Sequence, residues 1–85
     1  MKEFSYRIKD ELGIHARPAG ILVKEAKEFS SEISIEKDGK KGNMKMIFSL
    51  MGMGIKCGDT VKITIEGEDE DVALSKIESV FKENL

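Results

Sequence analysis

The stretch SEISIEKDGK (31–40) decides how this chain is built. Its first residues alternate polar and apolar, with Ile33 and Ile35 on one side, which is the period-2 pattern of a strand with one buried face. It then runs into Asp38-Gly39. That pair suits a two-residue type I′ turn, which needs a positive φ at both central positions. The residues from 40 to about 44 therefore predict a short return strand, paired antiparallel with the first. Such a hairpin has one apolar and one polar face, and everything around it must cover the apolar one.

Working outward, FSYRI (4–8) alternates in the same way, with Phe4, Tyr6 and Ile8 on one face. From Ala16 to Phe29 the period becomes helical: Ala19, Leu22, Val23 and Ala26 recur at i, i+3, i+4 and i+7, with Lys24, Lys27 and Glu28 off that stripe. On the other side, MKMIFSLMGMG (44–54) predicts a short helix over 46–53 closed by Gly54. VKITIEG (61–67) predicts a strand with Val61, Ile63 and Ile65 inward. EDEDVALSKIESVFKENL (68–85) predicts a second long helix that buries Leu74, Ile77 and Phe81, with Ala73 and Val80 beside them. The order is β-α-β-β-α-β-α. It predicts an α+β fold: a two-layer open-faced β-sandwich with a four-stranded, mostly antiparallel sheet. Two long helices and one short helix cover one face, and residues 1–85 form a single domain. The other face (Ser5, Arg7, Ser34, Lys62, Thr64) is polar.

Composition narrows the function. The chain has 85 residues, 14 Lys and Arg against 16 Asp and Glu, one His and one Cys. The net charge of −2 lacks the basic excess that nucleic-acid binding wants. No apolar run reaches the ~18–20 residues that membrane insertion requires. The charged N-terminus lacks the apolar core of a signal peptide. A single cysteine, Cys57, forms no intrachain disulfide, which points to the cytoplasm. One His and one Cys make a four-ligand metal site hard to build, so neither a metal nor a cofactor is expected.

The candidate chemistry lies in GIHARPAG (13–20), which holds the only histidine, His15, and the only proline, Pro18. A lone loop histidine usually has no role. This one falls where the first helix begins, and the opening N–H groups of a helix have no intrahelical acceptor and attract anions. Pro18 suits the first turn, since its missing N–H costs nothing there and its fixed φ favours helix entry. The amides of Ala16 and Arg17 stay available, Arg17 brings a guanidinium suited to phosphate oxygens, and Gly20 keeps the neighbourhood open. A neutral imidazole is a competent nucleophile. The residues predict a histidine that takes up a group which is an anion once attached, as a phosphoryl group is.

The same residues carry a family resemblance. GIHARPA (13–19) resembles the active-site pattern of HPr, the histidine-containing phosphocarrier family of the bacterial phosphoenolpyruvate:sugar phosphotransferase system. NMKMIFSLMGMGIKCGD (43–59) is similar to that family's stretch around its short second helix. The resemblance spans the chain. It implies that His15 accepts a phosphoryl group on Nδ1 from phosphorylated enzyme I and passes it to a sugar-specific enzyme IIA domain. It implies that Arg17 and the amides of Ala16 and Arg17, with Pro18 alongside, hold the phosphate. The protein would then be a carrier and not an enzyme.

Six apolar residues in 46–53 cannot all face inward from one short helix. Leu50 and Met53 are assigned to the core. Ile47, Phe48 and Met51 then form an exposed patch, which the resemblance makes a docking surface for enzyme I and enzyme IIA, with Gly20, Lys24, Lys27 and Lys45 around it. A carrier that shows one face to several partners is expected to be a monomer. One departure stands out: where many relatives carry a regulatory serine, this chain has Met46, so HPr kinase is not expected to act there. The alternative reading is a regulatory binding module, whose phosphorylation state would control a transcription factor or enzyme. A ferredoxin-like domain binding metal or RNA would want paired cysteines or aromatic residues on the sheet face, and the chain has neither.

Overall fold

A computed structural model describes residues 1–85. The elements are β1 (Lys2–Arg7), α1 (Ala16–Ala26), β2 (Glu32–Lys37), β3 (Lys40–Asn43), α2 (Ile47–Met51), β4 (Thr60–Glu66) and α3 (Glu70–Asn84). The turn that opens the sequence argument is present: Asp38 and Gly39 both have positive φ, 49° and 81°, and Lys37 stands opposite Lys40. The four strands form one sheet in the order β1-β4-β2-β3, and every pairing is antiparallel. β4 is inserted between β1 and β2. Ile63 therefore faces Phe4 on one side and Ile35 on the other.

Because paired residues share a face, this register collects Phe4, Val61, Ile63, Ile65, Ile33 and Ile35 toward the helices. It sends Ser5, Lys62, Glu36 and Lys41 to the open face in one row. α3 lies across β1 and β4, while α1 packs on both α3 and α2. Phe81 of α3 is fully buried and meets Phe4 edge-on at 5.8 Å and Tyr6 at 5.5 Å. Burying side chains of this size, at about 25 cal/mol per Å² of apolar surface, is what holds the two layers together.

Three boundaries differ from expectation, each for a local reason. α1 ends at Ala26, short of Phe29. Beyond it, the N–H groups of Ser30 and Ser31 donate to the Asp69 carboxylate at 2.9 and 3.0 Å, and that draws the chain out of the helix. The Ser31 hydroxyl donates to Asp69 as well. These bonds, the hydroxyl's first, lower the Asp69 carboxyl to about 2. They also delay α3, which starts at Glu70 because the Asp69 side chain is committed across to the α1–β2 connection. α2 is shorter than expected and closes on Gly52, in ordinary helical geometry; Gly54, φ +64°, reverses the chain two residues later. Leu74 is only partly buried, whereas Ile77, Val80 and Ala73 are buried as expected.

Candidate functional site

The loop between β1 and α1 is held from both sides. The Lys9 and Asp10 N–H groups donate to the main-chain oxygen of Leu85 at 2.6 and 2.9 Å. Asp10 accepts from Gly13 N–H through its backbone carbonyl (3.0 Å) and from Leu12 N–H through Oδ1 (2.9 Å), an Asx turn. Gly13 has φ +68°, and a Cβ there would drive into the Ile55 carbonyl oxygen and lie 2.8 Å from Lys56 Cα. Only glycine allows that approach. The approach lets Ile14 bury its side chain and donate its N–H to the Ile55 carbonyl at 3.1 Å.

His15 follows as the N-cap of α1, extended at φ −97° and ψ −174°. Its carbonyl accepts from Ala19 N–H at 2.9 Å, but its side chain makes no capping bond. The imidazole is thus positioned by its backbone and left free, and it is about one-third exposed. Next to it, the amides of Ala16 and Arg17 are the opening N–H groups of the helix, with no carbonyl behind them in the turn. Pro18 is buried and starts the packed stripe, while Arg17 is exposed. An open depression of about 230 Å³ is lined by His15, Arg17, Pro18 and Ile21, with Asp10, Glu83 and Asn84 across from them. The His15 Nε2 lies 3.8 Å from Asp10 Oδ1.

From His15 an open strip runs along α1. Ala16, Gly20, Lys24 and Lys27 recur at i, i+4, i+8 and i+11; Ala16, Lys24 and Lys27 are exposed, and the space beside Gly20 is empty. On α2, packed against α1, Phe48 is 88% exposed and Met51 41%, as the patch requires, with Met46 beside them at 58%. Leu50 and Met53 are in the core. Two assignments are corrected. Ile47 is half-buried against the core, because it lies three residues before Leu50 and shares its inward face. Lys45 is not free: its Nζ donates to the Phe29 carbonyl at 2.7 Å, just past the end of α1. Asp10 was missed in the sequence, where KDELG reads only as a loop; the signal was an Asp two residues before the next backbone N–H it caps. Cys57 is an exposed free thiol.

An imidazole without a hydrogen bond, beside unclaimed helix amides and an arginine, is chemically able to take up an anionic group and release it. Comparisons with known proteins show the family. Residues 2–83 match the family described as PTS HPr component phosphorylation site. The phosphocarrier protein HPr of Mycoplasma genitalium is 45% identical over 85 residues, covering 99% of this chain and 97% of the relative. A solved histidine-containing phosphocarrier protein of Mycoplasma superposes with a TM-score of 0.94 at 43% identity, covering 96% of this chain and 93% of that one. An HPr dimer from Thermoanaerobacter tengcongensis gives 0.78 at 42% identity, covering 98% and 95%. The chain belongs to the HPr family and is a phosphocarrier of the phosphotransferase system.

Proposed function

We propose that the phosphoryl group is carried on Nδ1 of His15, received from phosphorylated enzyme I and handed to sugar-specific enzyme IIA domains. The observation that carries this reading is the uncommitted imidazole at the N-cap of α1. Nδ1 is bonded to Cγ, so a group on it lies close to the backbone, within reach of the Ala16 and Arg17 amides. Arg17 supplies the charge-assisted contact. A helix terminus contributes ~0.3–2 kcal/mol to an anion, enough to steady the phosphate and too little to trap it. The chain needs no acid or base of its own, because phosphoryl transfer between partners depends on positioning and charge stabilisation. It is a carrier, with no catalysis in the ordinary sense.

Phe48 and Met51, with the strip through Gly20, Lys24 and Lys27, form the docking surface. Flexible thioethers and one aromatic ring suit a face that serves more than one partner. The carrier works as a monomer in a single domain in the cytoplasm, where its partners and its unpaired thiol belong. Met46 caps α2 with no side-chain bond, and the Ser49 hydroxyl accepts from Asn43 N–H at 2.9 Å, turned toward β3. Neither residue offers HPr kinase its usual serine. The retained His15 favours the carrier over a purely regulatory module. Labelling with phosphoenolpyruvate and enzyme I tests the reading: wild type gains one acid-labile phosphate and His15→Ala gains none. A labelled His15→Ala protein would end it.

A further inference from the structure

We infer that Asp10 is a positioning residue for phosphoryl acceptance: its carboxylate keeps the His15 proton on Nε2 and faces the positive charge that the ring acquires on Nδ1-phosphorylation. The inference rests on the carrier reading for its second half and on geometry alone for its first.

Asp10 is fixed from three directions. Its N–H donates to the main-chain oxygen of Leu85 at 2.9 Å, its carbonyl accepts from Gly13 at 3.0 Å, and Oδ1 accepts from Leu12 N–H at 2.9 Å. These bonds leave the carboxylate little freedom, and they aim it across the depression, where Oδ1 lies 3.8 Å from Nε2. The separation exceeds a hydrogen bond, so the contact is electrostatic until the ring moves. A negative oxygen facing Nε2 favours a proton there over a lone pair, and the lone pair then sits on Nδ1, the other ring nitrogen. Arg17 and Glu83 are the other charged groups lining the depression, and Glu83 accepts from the Ser79 hydroxyl at 3.3 Å.

The step balances without a proton leaving His15. The Nδ1 lone pair forms the new N–P bond while the donor's N–P bond breaks, and that electron pair returns to the donor imidazole. The His15 ring becomes an imidazolium, its charge shared with Nε2–H, with Asp10 opposite. In onward transfer the N–P pair flows back to Nδ1 and the charge is lost. A unit charge about 4 Å from that ring, screened as in water, is worth about five-fold. The two negative charges of the phosphoryl group, roughly twice as far from Asp10, oppose it, so the carboxylate acts chiefly through the tautomer and little on the final equilibrium.

The test compares Asp10→Asn with wild type. Asparagine keeps the Asx acceptor for Leu12 and removes only the charge. Asp10→Ala removes both, and Glu11→Gln, an exposed neighbour in the same loop, controls for overall charge. Ring ¹⁵N spectra read the tautomer of the neutral imidazole, and labelling by enzyme I from phosphoenolpyruvate reads the initial rate of phosphoryl acceptance. Asp10→Asn is expected to lower the Nε2–H fraction and to slow phosphoryl acceptance in the same proportion, by up to about five-fold, while Glu11→Gln changes neither. Wild-type tautomer and acceptance rate in Asp10→Asn, with a loss seen only in Asp10→Ala, would reduce Asp10 to a loop anchor and overturn the inference. If wild type itself takes no label, the carrier reading fails. The tautomer comparison still decides whether the carboxylate acts on the ring.

Discussion

Gly13→Ala probes whether the loop's backbone contact positions His15. At φ +68° an L side chain costs about 1–2 kcal/mol. The new methyl meets the Ile55 carbonyl and Lys56 Cα, both main chain and unable to rotate away, so the loop must withdraw. Withdrawal breaks the 3.1 Å bond from Ile14 to Ile55, about 1 kcal/mol. The sum, about 2–3 kcal/mol, is a large fraction of the ~5–15 kcal/mol typical of a domain. At about 4–8 °C per kcal/mol for a chain of this size, the Tm should fall by roughly 10–20 °C. Urea unfolding gives the free-energy change, and enzyme I labelling at 25 °C, where the chain stays mostly folded, reports the geometry. Because His15 is two residues along, kcat/KM for phosphoryl acceptance should fall by at least about ten-fold, a modest share of what an ångström of misplacement can cost. A loss of stability below about 1 kcal/mol together with wild-type acceptance would refute this account of the loop.

Phe48→Ala should leave stability within about 0.5 kcal/mol of wild type, since the ring is 88% exposed, while KM toward enzyme I rises about ten-fold; an unchanged KM would remove Phe48 from the docking surface. HPr kinase with ATP should leave the protein unlabelled, and phosphate on Ser49 would contradict that. The Asp69 carboxyl, at about 2 in the folded chain against its ordinary 3.8, stabilises the fold above about pH 4, and that contribution disappears as the pH falls through 2. Asp59 is lowered chiefly by a bond from Lys37, and Glu70 by a bond from the N-terminal ammonium, so both add in the same direction. Thermal melts between pH 4 and 2 should therefore fall more steeply for wild type than for Asp69→Ala; parallel curves would mean that the Ser30 and Ser31 bonds contribute nothing.

The fold was legible because its signals are local. The Asp38-Gly39 turn and the alternation of Val61, Ile63 and Ile65 are readable residue by residue, and the structure keeps both. His15 was legible for the same reason: a helix start is written in the sequence beside it. What escaped depends on long-range partners. Nothing near Phe29 in sequence announces that Asp69, 38 and 39 residues beyond the serines it binds, ends α1. Ile47 looked free with only Leu50 and Met53 assigned to the core, although it lies three residues before Leu50 and packs partly against that core. Lys45 looked like a surface cation, and only the packed structure brings the Phe29 carbonyl to it. Asp10 became visible when Leu85 and Leu12 fixed where its carboxylate points.

The central claim is that a single imidazole, left free at the N-cap of α1, carries the phosphate on Nδ1. ³¹P and ¹⁵N spectra of the protein after incubation with enzyme I and phosphoenolpyruvate test it most directly. The account predicts one phosphorus resonance coupled to His15 Nδ1 and lost on mild acid treatment. Phosphate on Nε2, on a serine, or stable to acid would contradict it.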